Sequence, residues 1–433
     1  MEKNTAKLTI DFDSDLGAFK PINGVTNGPG LHRGVLDSSR FFTELDLPIV
    51  RLHDTELLSL RPFVDYFRIF PDASRDETDP KNYRFKETDR LLEKLQTLGV
   101  QIIFRLGCSA TLKNVDNHAA FPCPVEKLSE IMARIAGHYC GGWAGGYRYE
   151  NVSFEIWNEP DLGIFYRGEE SEFHRFYELT AQKIKTRYPS VLVGGCAFSD
   201  PESTFALHWM DYVSEHRCPL DFFSYHFYGT DAARIRERST HMRALLDAHG
   251  FTNVPTVLDE WNFNINFEDR LNESYRNIGR INGACFTAAM LTELQKGPVD
   301  FATYYDMQTN YMMLLYNGLY YFNGFKLVKK KPFYAFLYFR RLKDLGRVCE
   351  SSALPDLFTL AASDGTHGRC LITNYSFEHP AERELQLQVT GDFRMLRIYR
   401  TDRSQTDQLV YSGPVPETLS LPANSFSYLE FEK

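Results

Sequence analysis

The chain has 433 residues, 43% of them apolar and 24% charged, which fits one large domain or a large and a small one and excludes a disordered or fibrous protein. A net charge of -9, with no stretch that gathers basic side chains, excludes nucleic acid as an expected partner. No run approaches the ~18 consecutive apolar residues of a membrane span, so no membrane partner is expected either.

The opening stretch MEKNTAKLTIDFD lacks the apolar run and cleavage site of a secretory signal, which places the chain in the cytoplasm unless a signal has been removed ahead of it. Within it KLTIDFD alternates apolar and polar residues. Eight short runs rich in Val, Ile and Phe then read as strands: INGV (22–25), PIVRLHD (48–54), VQIIFRLG (100–107), VSFEIWNE (152–159), SVLVGGCAF (190–198), DFFSYHFYG (221–229), PTVLDEW (255–261) and DFATYYDM (300–307). Helical patterns fall between several of them. In KETDRLLEKLQTLG, Leu91, Leu92, Leu95 and Leu98 share a face and Gly99 supplies the stop. PVEKLSEIMARIAGHY, SEFHRFYELTAQKIKTRYP and ESYRNIGRINGACFTAAMLTELQKG continue the series. Near-continuous apolar strands alternating with amphipathic helices predict a parallel sheet covered by helices, and eight such units predict an α/β fold, a (β/α)8 TIM barrel over 21–340.

The run Lys329-Lys330-Lys331, followed by Pro332, reads as a solvated loop rather than a binding patch. Beyond about residue 340, segments such as GRCLITNY, ERELQLQV and FSYLEFEK alternate in polarity between turn-formers such as Asp364-Gly365. They predict an accessory antiparallel β-sandwich over 341–433, completed by residues 1–20. Eight scattered cysteines with no CxxC pair read as free thiols, with no structural zinc.

A barrel of this kind carries its chemistry at the C-terminal ends of its strands. There the strands place Asn27, Arg51, His53, Asp54, Arg105, Trp157, Asn158, Glu159, His226, Tyr228, Glu260, Trp261, Tyr305 and Asp306. Glu159 and Glu260, ending the fourth and seventh strands, would face each other across a sugar-sized gap. Glycoside hydrolysis needs such a pair, one acid to protonate the leaving oxygen and one carboxylate to attack or stabilise the anomeric carbon. The bland alternative for either glutamate alone is a strand-end salt bridge. Its repetition in WNE and EWN weighs against that.

These residues resemble the retaining glycosidases of clan A, and within it glycoside hydrolase family 39, the β-xylosidase and α-L-iduronidase family. The resemblance rests on VRLHD (50–54), FEIWNEPDL (154–162), DFFSYHFYG (221–229), VLDEWN (257–262) and KKPFYAF (330–336). It implies Glu159 as acid/base, Glu260 as nucleophile, Asn158 at the sugar 2-hydroxyl, and Tyr228 hydrogen-bonded to the nucleophile. It further implies His53 and His226 lining the innermost sugar subsite, with Arg51 beneath the nucleophile. Arg51 and His53 could equally form an ordinary buried network, and Tyr228 a packed rim aromatic. Trp157, Trp261 and Tyr305 could stack on sugar or pack in the wall. Where the family has a tryptophan at the end of the eighth strand this chain has Tyr305, and Cys108 stands in place of a phenylalanine, so a xylose preference does not follow directly.

The expected reaction is double displacement with retention on non-reducing-end sugars, β-xylosidase-like, with the two carboxyl groups about 5 to 5.5 Å apart. An α-L-arabinosidase, an iduronidase-like enzyme using Arg105 for an acidic sugar, or an endo-acting relative are alternatives, and an inactive sugar-binding barrel is one of another class. The expected partner is a carbohydrate substrate, with no metal or organic cofactor; an oligomer is compatible with the sequence.

Overall fold

The computed structural model describes residues 6–29, 37–53, 64–109, 119–307, 318–323 and 326–433. Asp54, read above as a strand-end residue, lies outside them. Eight parallel strands close a barrel: β2 (Gly24–Thr26), β3 (Ile49–Leu52), β4 (Gln101–Leu106), β5 (Val152–Ile156), β6 (Val193–Phe198), β7 (Phe223–Gly229), β8 (Thr256–Phe263) and β9 (Phe301–Tyr304). All eight strands read from the sequence are present. β2, β3, β6 and β8 are buried throughout, and β4 and β5 at all but one position each, as strands covered on both faces must be.

Helices follow the strands around the outside. Lys86–Gln96 buries Leu91, Leu92 and Leu95, and Gly99 beyond it adopts φ +67°, the left-handed conformation of a helix stop. Val125–Cys140 and Glu170–Arg187 match the patterns described above, while Thr204–Glu215, Arg234–Ala248 and Lys331–Lys343 complete the ring. The single helix read through 273–297 is two, Leu271–Ile278 and Ile281–Lys296, because Arg280 is extended (φ -108°, ψ -167°) between them. No helix among the described residues is long and apolar enough to cross a membrane. Close approach of β5 and β6 requires Gly195, at φ +144°, where a Cβ would meet the Ile156 carbonyl oxygen at 2.9 Å.

A small hairpin, β10 (Tyr320–Phe322) and β11 (Leu327–Lys329), leads into the last barrel helix. There the lysine run departs from its reading as a solvated loop. Lys329 pairs with Glu44, Lys330 is buried, and Lys331 donates from Nζ to the Asp402 and Gln405 carbonyls (2.6 and 2.7 Å) and Thr406 Oγ1 (2.9 Å). Local charge density misled the reading, because the partners of these lysines lie far away in sequence.

The second module is a nine-stranded sheet made of β1 (Ala6–Asp11), β12 (Arg347–Ser351), β13 (Leu357–Ser363), β14 (Gly368–Asn374), β15 (Arg383–Thr390), β16 (Met395–Thr401), β17 (Gln408–Pro414), β18 (Thr418–Leu421) and β19 (Ser425–Glu432). Its order is β17-β16-β19-β14-β13-β12-β1-β15-β18, antiparallel except for β1 against β15. Strict alternation explains how its central strands are buried on both faces. Phe358, Leu360, Ala362, Phe426 and Tyr428 join the core of the barrel and its helices. Leu357, Ala361, Leu429 and Phe431 point the other way and meet Leu8, Ile10, Leu385, Leu387, Leu419 and Leu421 in a second core.

Candidate active site

Strand β5 ends at Ile156, three residues before Glu159, so the acid is not placed by the strand itself. Trp157 (φ +74°) and Glu159 (φ +44°) are both left-handed, which costs about 1–2 kcal/mol for each non-glycine residue. Neighbouring strands hold the bend. Trp157 donates its backbone N–H to Leu106 O (2.8 Å), and Glu159 donates its own to Ala197 O (3.0 Å). The double reversal brings Asn158 and Glu159, consecutive residues, to the same mouth.

Glu159 Oε1 lies 2.7 Å from His226 Nδ1, in the middle of β7. Burial pushes the Glu159 carboxyl above the usual carboxylate range; the nearby imidazole opposes this, and the charges of Glu260 and Asp161 add to it. Across the mouth, Glu260 on β8 accepts from Arg51 Nη1 through Oε1 (2.7 Å) and from the Tyr228 hydroxyl through Oε2 (2.7 Å). One carboxylate oxygen each from Glu159 and Glu260 and one ring nitrogen of His226 all lie within 4.8 Å of one another. The two carboxylates therefore share a single cavity.

Beneath Glu260, Arg51 is completely buried and serves four side chains at once. Its guanidinium reaches Glu155 Oε2 (2.6 Å), Asp259 Oδ2 (2.8 Å), Glu260 Oε1 (2.7 Å) and Asn158 Oδ1 (2.6 Å). Burial alone would lower its pKa, but Asp259, Glu155 and Glu260 outweigh it and raise it. Two of those carboxylates crowd each other in a dry site. Burial pushes Glu155 up to about 8, whereas Asp259, which burial would also raise, is held below its usual value by Arg51 and His226. Glu155 thus carries the proton and Asp259 the charge.

His53 is 3.9 Å from Glu260 Oε1 through Nε2, and Arg105 Nε donates to its Nδ1 (3.2 Å). Burial and the adjacent Arg51 and Arg105 hold its pKa well below the ordinary value, so the ring is neutral near pH 7. His226 shows the opposite balance: burial opposes its charge, yet Glu260, Asp259 and Glu159 raise its pKa well above the ordinary histidine value.

The sequence-predicted residues divide clearly. Glu159, Glu260, Asn158, Arg51, His53, His226 and Tyr228 converge on the mouth, and half-buried Tyr305 stands at its edge, 6.4 Å between ring centres from His53. Trp157 and Trp261 do not act as sugar platforms, because both are 0% exposed. The Trp157 ring packs on Phe121 and Phe176 with Nε1 bonded to Phe165 O, and Trp261 packs on Tyr304 and Phe336. Arg105 is likewise buried, in an ion pair with Asp65 (2.5 Å). Cys108 is buried, and burial pushes its thiol up to about 12.

Three side chains at the site escaped the sequence reading. Glu155 and Asp259 sit inside strands where alternation gives no hint that both point at Arg51. Phe267 lies on the loop after β8, 60% exposed, its ring centre 5.1 Å from that of Tyr228. An isolated phenylalanine in a polar loop, NINFEDR, was the available signal for it.

The profile of the family described as Glycosyl hydrolases family 39 matches residues 43–347. A β-xylosidase of Geobacillus stearothermophilus is 23% identical over 297 residues, an alignment covering 60% of this chain and 57% of that protein. The chain thus spans little more than half the length of that curated relative. Among solved structures, a glucosidase from Croceicoccus marinus superposes with a TM-score of 0.77 at 21% identity, covering 99% of both chains. A monomeric β-xylosidase from Caulobacter crescentus CB15 superposes at 0.71 with 17% identity, again over 99% of both. At these identities the structural likeness speaks for the shared fold.

Proposed function

Because the chain belongs to glycosyl hydrolase family 39, we propose that it is a retaining glycoside hydrolase that removes non-reducing-end sugars, β-xylosidase-like in substrate, by double displacement. The observation that carries this reading is that one carboxylate oxygen of Glu159 lies within 4.8 Å of one of Glu260, with His226 between them. Inverting pairs stand ~6.5–9.5 Å apart to admit a water, whereas retaining pairs close to about 5–5.5 Å.

In the first half-reaction Glu260 attacks the anomeric carbon. The attacking carboxylate is aimed by two donors, Arg51 Nη1 and the Tyr228 hydroxyl. Glu159, protonated because burial and the Glu260 charge disfavour its anion, gives its proton to the leaving oxygen as the glycosidic bond breaks. In the second, Glu159 takes a proton from water, the water oxygen bonds to the anomeric carbon, and the ester electrons return to Glu260. Asn158 has Oδ1 fixed by Arg51 and keeps an Nδ2 donor without a partner among the described residues, which suits a sugar hydroxyl. Neutral His53 and Tyr305 line the sugar subsite, and the exposed Phe267 offers a stacking face on the approach to it.

A panel of aryl glycosides led by 4-nitrophenyl β-xyloside, followed by proton NMR of the first-formed sugar, tests the reading. Release of the β-anomer before mutarotation is expected. Glu260→Ala should abolish turnover and be rescued by azide as the α-glycosyl azide. Glu159→Ala should spare activated leaving groups and lose poor ones. Absence of release from any member of the panel, or initial release of the α-anomer from a β-glycoside, refutes it.

A further inference from the structure

Strand β8 does something a regular strand does not. Its pairing with β7 runs Tyr225 to Leu258 and then His226 to Glu260, so Asp259 is an extra residue in a bulge. Without the bulge, adjacent residues would face opposite sides of the barrel wall. With it, Asp259 and Glu260 both face inward. Asp259 Oδ2 meets Arg51 Nε at 2.8 Å, and its Oδ1 lies 3.7 Å from His226 Nε2. On the other side of the same imidazole, Nδ1 faces Glu159 Oε1 at 2.7 Å and Glu260 Oε2 at 3.7 Å.

We propose that Asp259 is a positioning residue that keeps His226 charged through both half-reactions, so that Glu159 is an anion when it must accept a proton from water. The proposal rests on the assignment of Glu159 and Glu260 made above.

The argument follows the charges through the reaction. In the free enzyme three carboxylates face His226: Glu159 from the bend after β5, and Asp259 and Glu260 from β8. From β3 come Arg51 and His53. The first shares Asp259 and Glu260 with the imidazole; the second is neutral. From β7 itself comes the Tyr228 hydroxyl, which is spent on Glu260. Glu155 on β5 adds no charge while it holds its proton.

When Glu260 becomes the glycosyl ester its negative charge disappears, and Glu159 has just surrendered its proton to the leaving group. Asp259 is then the carboxylate near His226 whose charge the chemistry never consumes. An imidazolium donating Nδ1–H into Glu159 Oε1 lowers the proton affinity of that carboxylate. Glu159 therefore stays ionised until it takes the proton of the attacking water, the C–O bond to water forms and the ester bond returns its electron pair to Glu260. The raised pKa of His226 agrees with this arrangement.

Asp259→Asn keeps the shape and removes the charge. Deglycosylation should suffer and glycosylation should not: kcat for 4-nitrophenyl β-xyloside falls about tenfold, kcat/KM changes less than about threefold, and the acidic limb of the kcat profile moves up by about one pH unit. The glycosyl-enzyme accumulates in the intact mass spectrum during turnover. Parallel loss of kcat and kcat/KM with an unshifted limb would mean that Asp259 merely supports the fold, and overturns the proposal. A second measurement needs no variant. In the wild-type protein labelled with 15N-histidine and trapped with 2,4-dinitrophenyl 2-deoxy-2-fluoro-β-xyloside, both nitrogens of His226 should remain protonated at pH 7; a neutral ring there overturns the proposal. Wild-type protein inactive on every aryl glycoside would instead sink the hydrolase reading. In that case the free protein decides whether Asp259 holds the charge, by a His226 protonated at pH 8 that becomes neutral in Asp259→Asn; a wild-type ring already neutral overturns it.

Discussion

Replacing Arg51 by Met removes the guanidinium that Glu155, Asp259 and Glu260 share, at a place where Arg51 and Glu155 have no exposed side-chain surface and Glu260 only 8%. The methionine fills much of the volume, so the penalty comes from electrostatics rather than from a cavity. Removing one partner of a buried ion pair costs about 3–5 kcal/mol. The upper half of that range applies here, since Glu155, Asp259 and Glu260 all lose this partner and Asn158 Oδ1 also loses its donor. The deficit must depend on pH with a definite sign. In the wild type, Asp259 has a depressed folded pKa, so its contribution is present above the unfolded value and is lost as pH falls. Glu155 is raised to about 8 already in the wild type and loses stability over the same window in both proteins; in the variant Asp259, without Arg51, moves up as well, so the protein loses further stability as pH rises through that value. The gap between wild type and variant should therefore be wider at pH 8 than at pH 5. Urea unfolding followed by tryptophan fluorescence at the two pH values measures it, with Trp157 and Trp261 reporting from the barrel wall. A variant within about 1 kcal/mol of wild type, or a gap that does not change with pH, would refute the account of the cluster.

Tyr228→Phe deletes the hydroxyl that donates to Glu260 Oε2 at 2.7 Å, a bond to a charged acceptor worth about 1.5–3 kcal/mol, and should lower kcat/KM roughly tenfold to a hundredfold. The basic limb of kcat/KM in the wild type should report Glu159: its pKa is raised, so the protonated acid persists above the ordinary carboxylate range and activity falls as pH rises through that raised value, a limb that Glu159→Gln should abolish. Phe267→Ala, at an exposed ring, should leave the unfolding midpoint unchanged while raising KM for a disaccharide more than for an aryl glycoside, as steady-state kinetics would show. Lys331→Met severs three bonds to the 402–406 turn and should destabilise the seam between barrel and sheet by about 1–3 kcal/mol, visible as an earlier transition in thermal unfolding.

The eight barrel strands were legible because each is an apolar run without alternation, the signature of burial on both faces. The two glutamates were legible because a charge ending such a run has few places to go. Other features depend on local backbone geometry that residue types do not encode. Strict alternation would turn Asp259 away from Glu260, whereas the β8 bulge turns both inward. Trp261, immediately after Glu260, illustrates the converse. Alternation resumes past the bulge and turns its indole to Phe336 on the outer helix, away from the mouth. Trp157, which the sequence left between sugar platform and wall, is wall, because the bend that presents Glu159 begins at its own φ of +74° and the same reversal sends its ring backward. Nothing in WNEP distinguishes those two outcomes.

The amino-terminal strand β1 is inserted between β12 and β15, its Ile10 level with Ser351 on one side and Val389 on the other. As the polypeptide emerges from the ribosome, this strand has neither neighbour until more than three hundred further residues have followed. The barrel can assemble in the interval, but the appended sheet cannot close. Losing the leading segment would expose two unpaired edges at once, in the half of the protein farthest from it in synthesis.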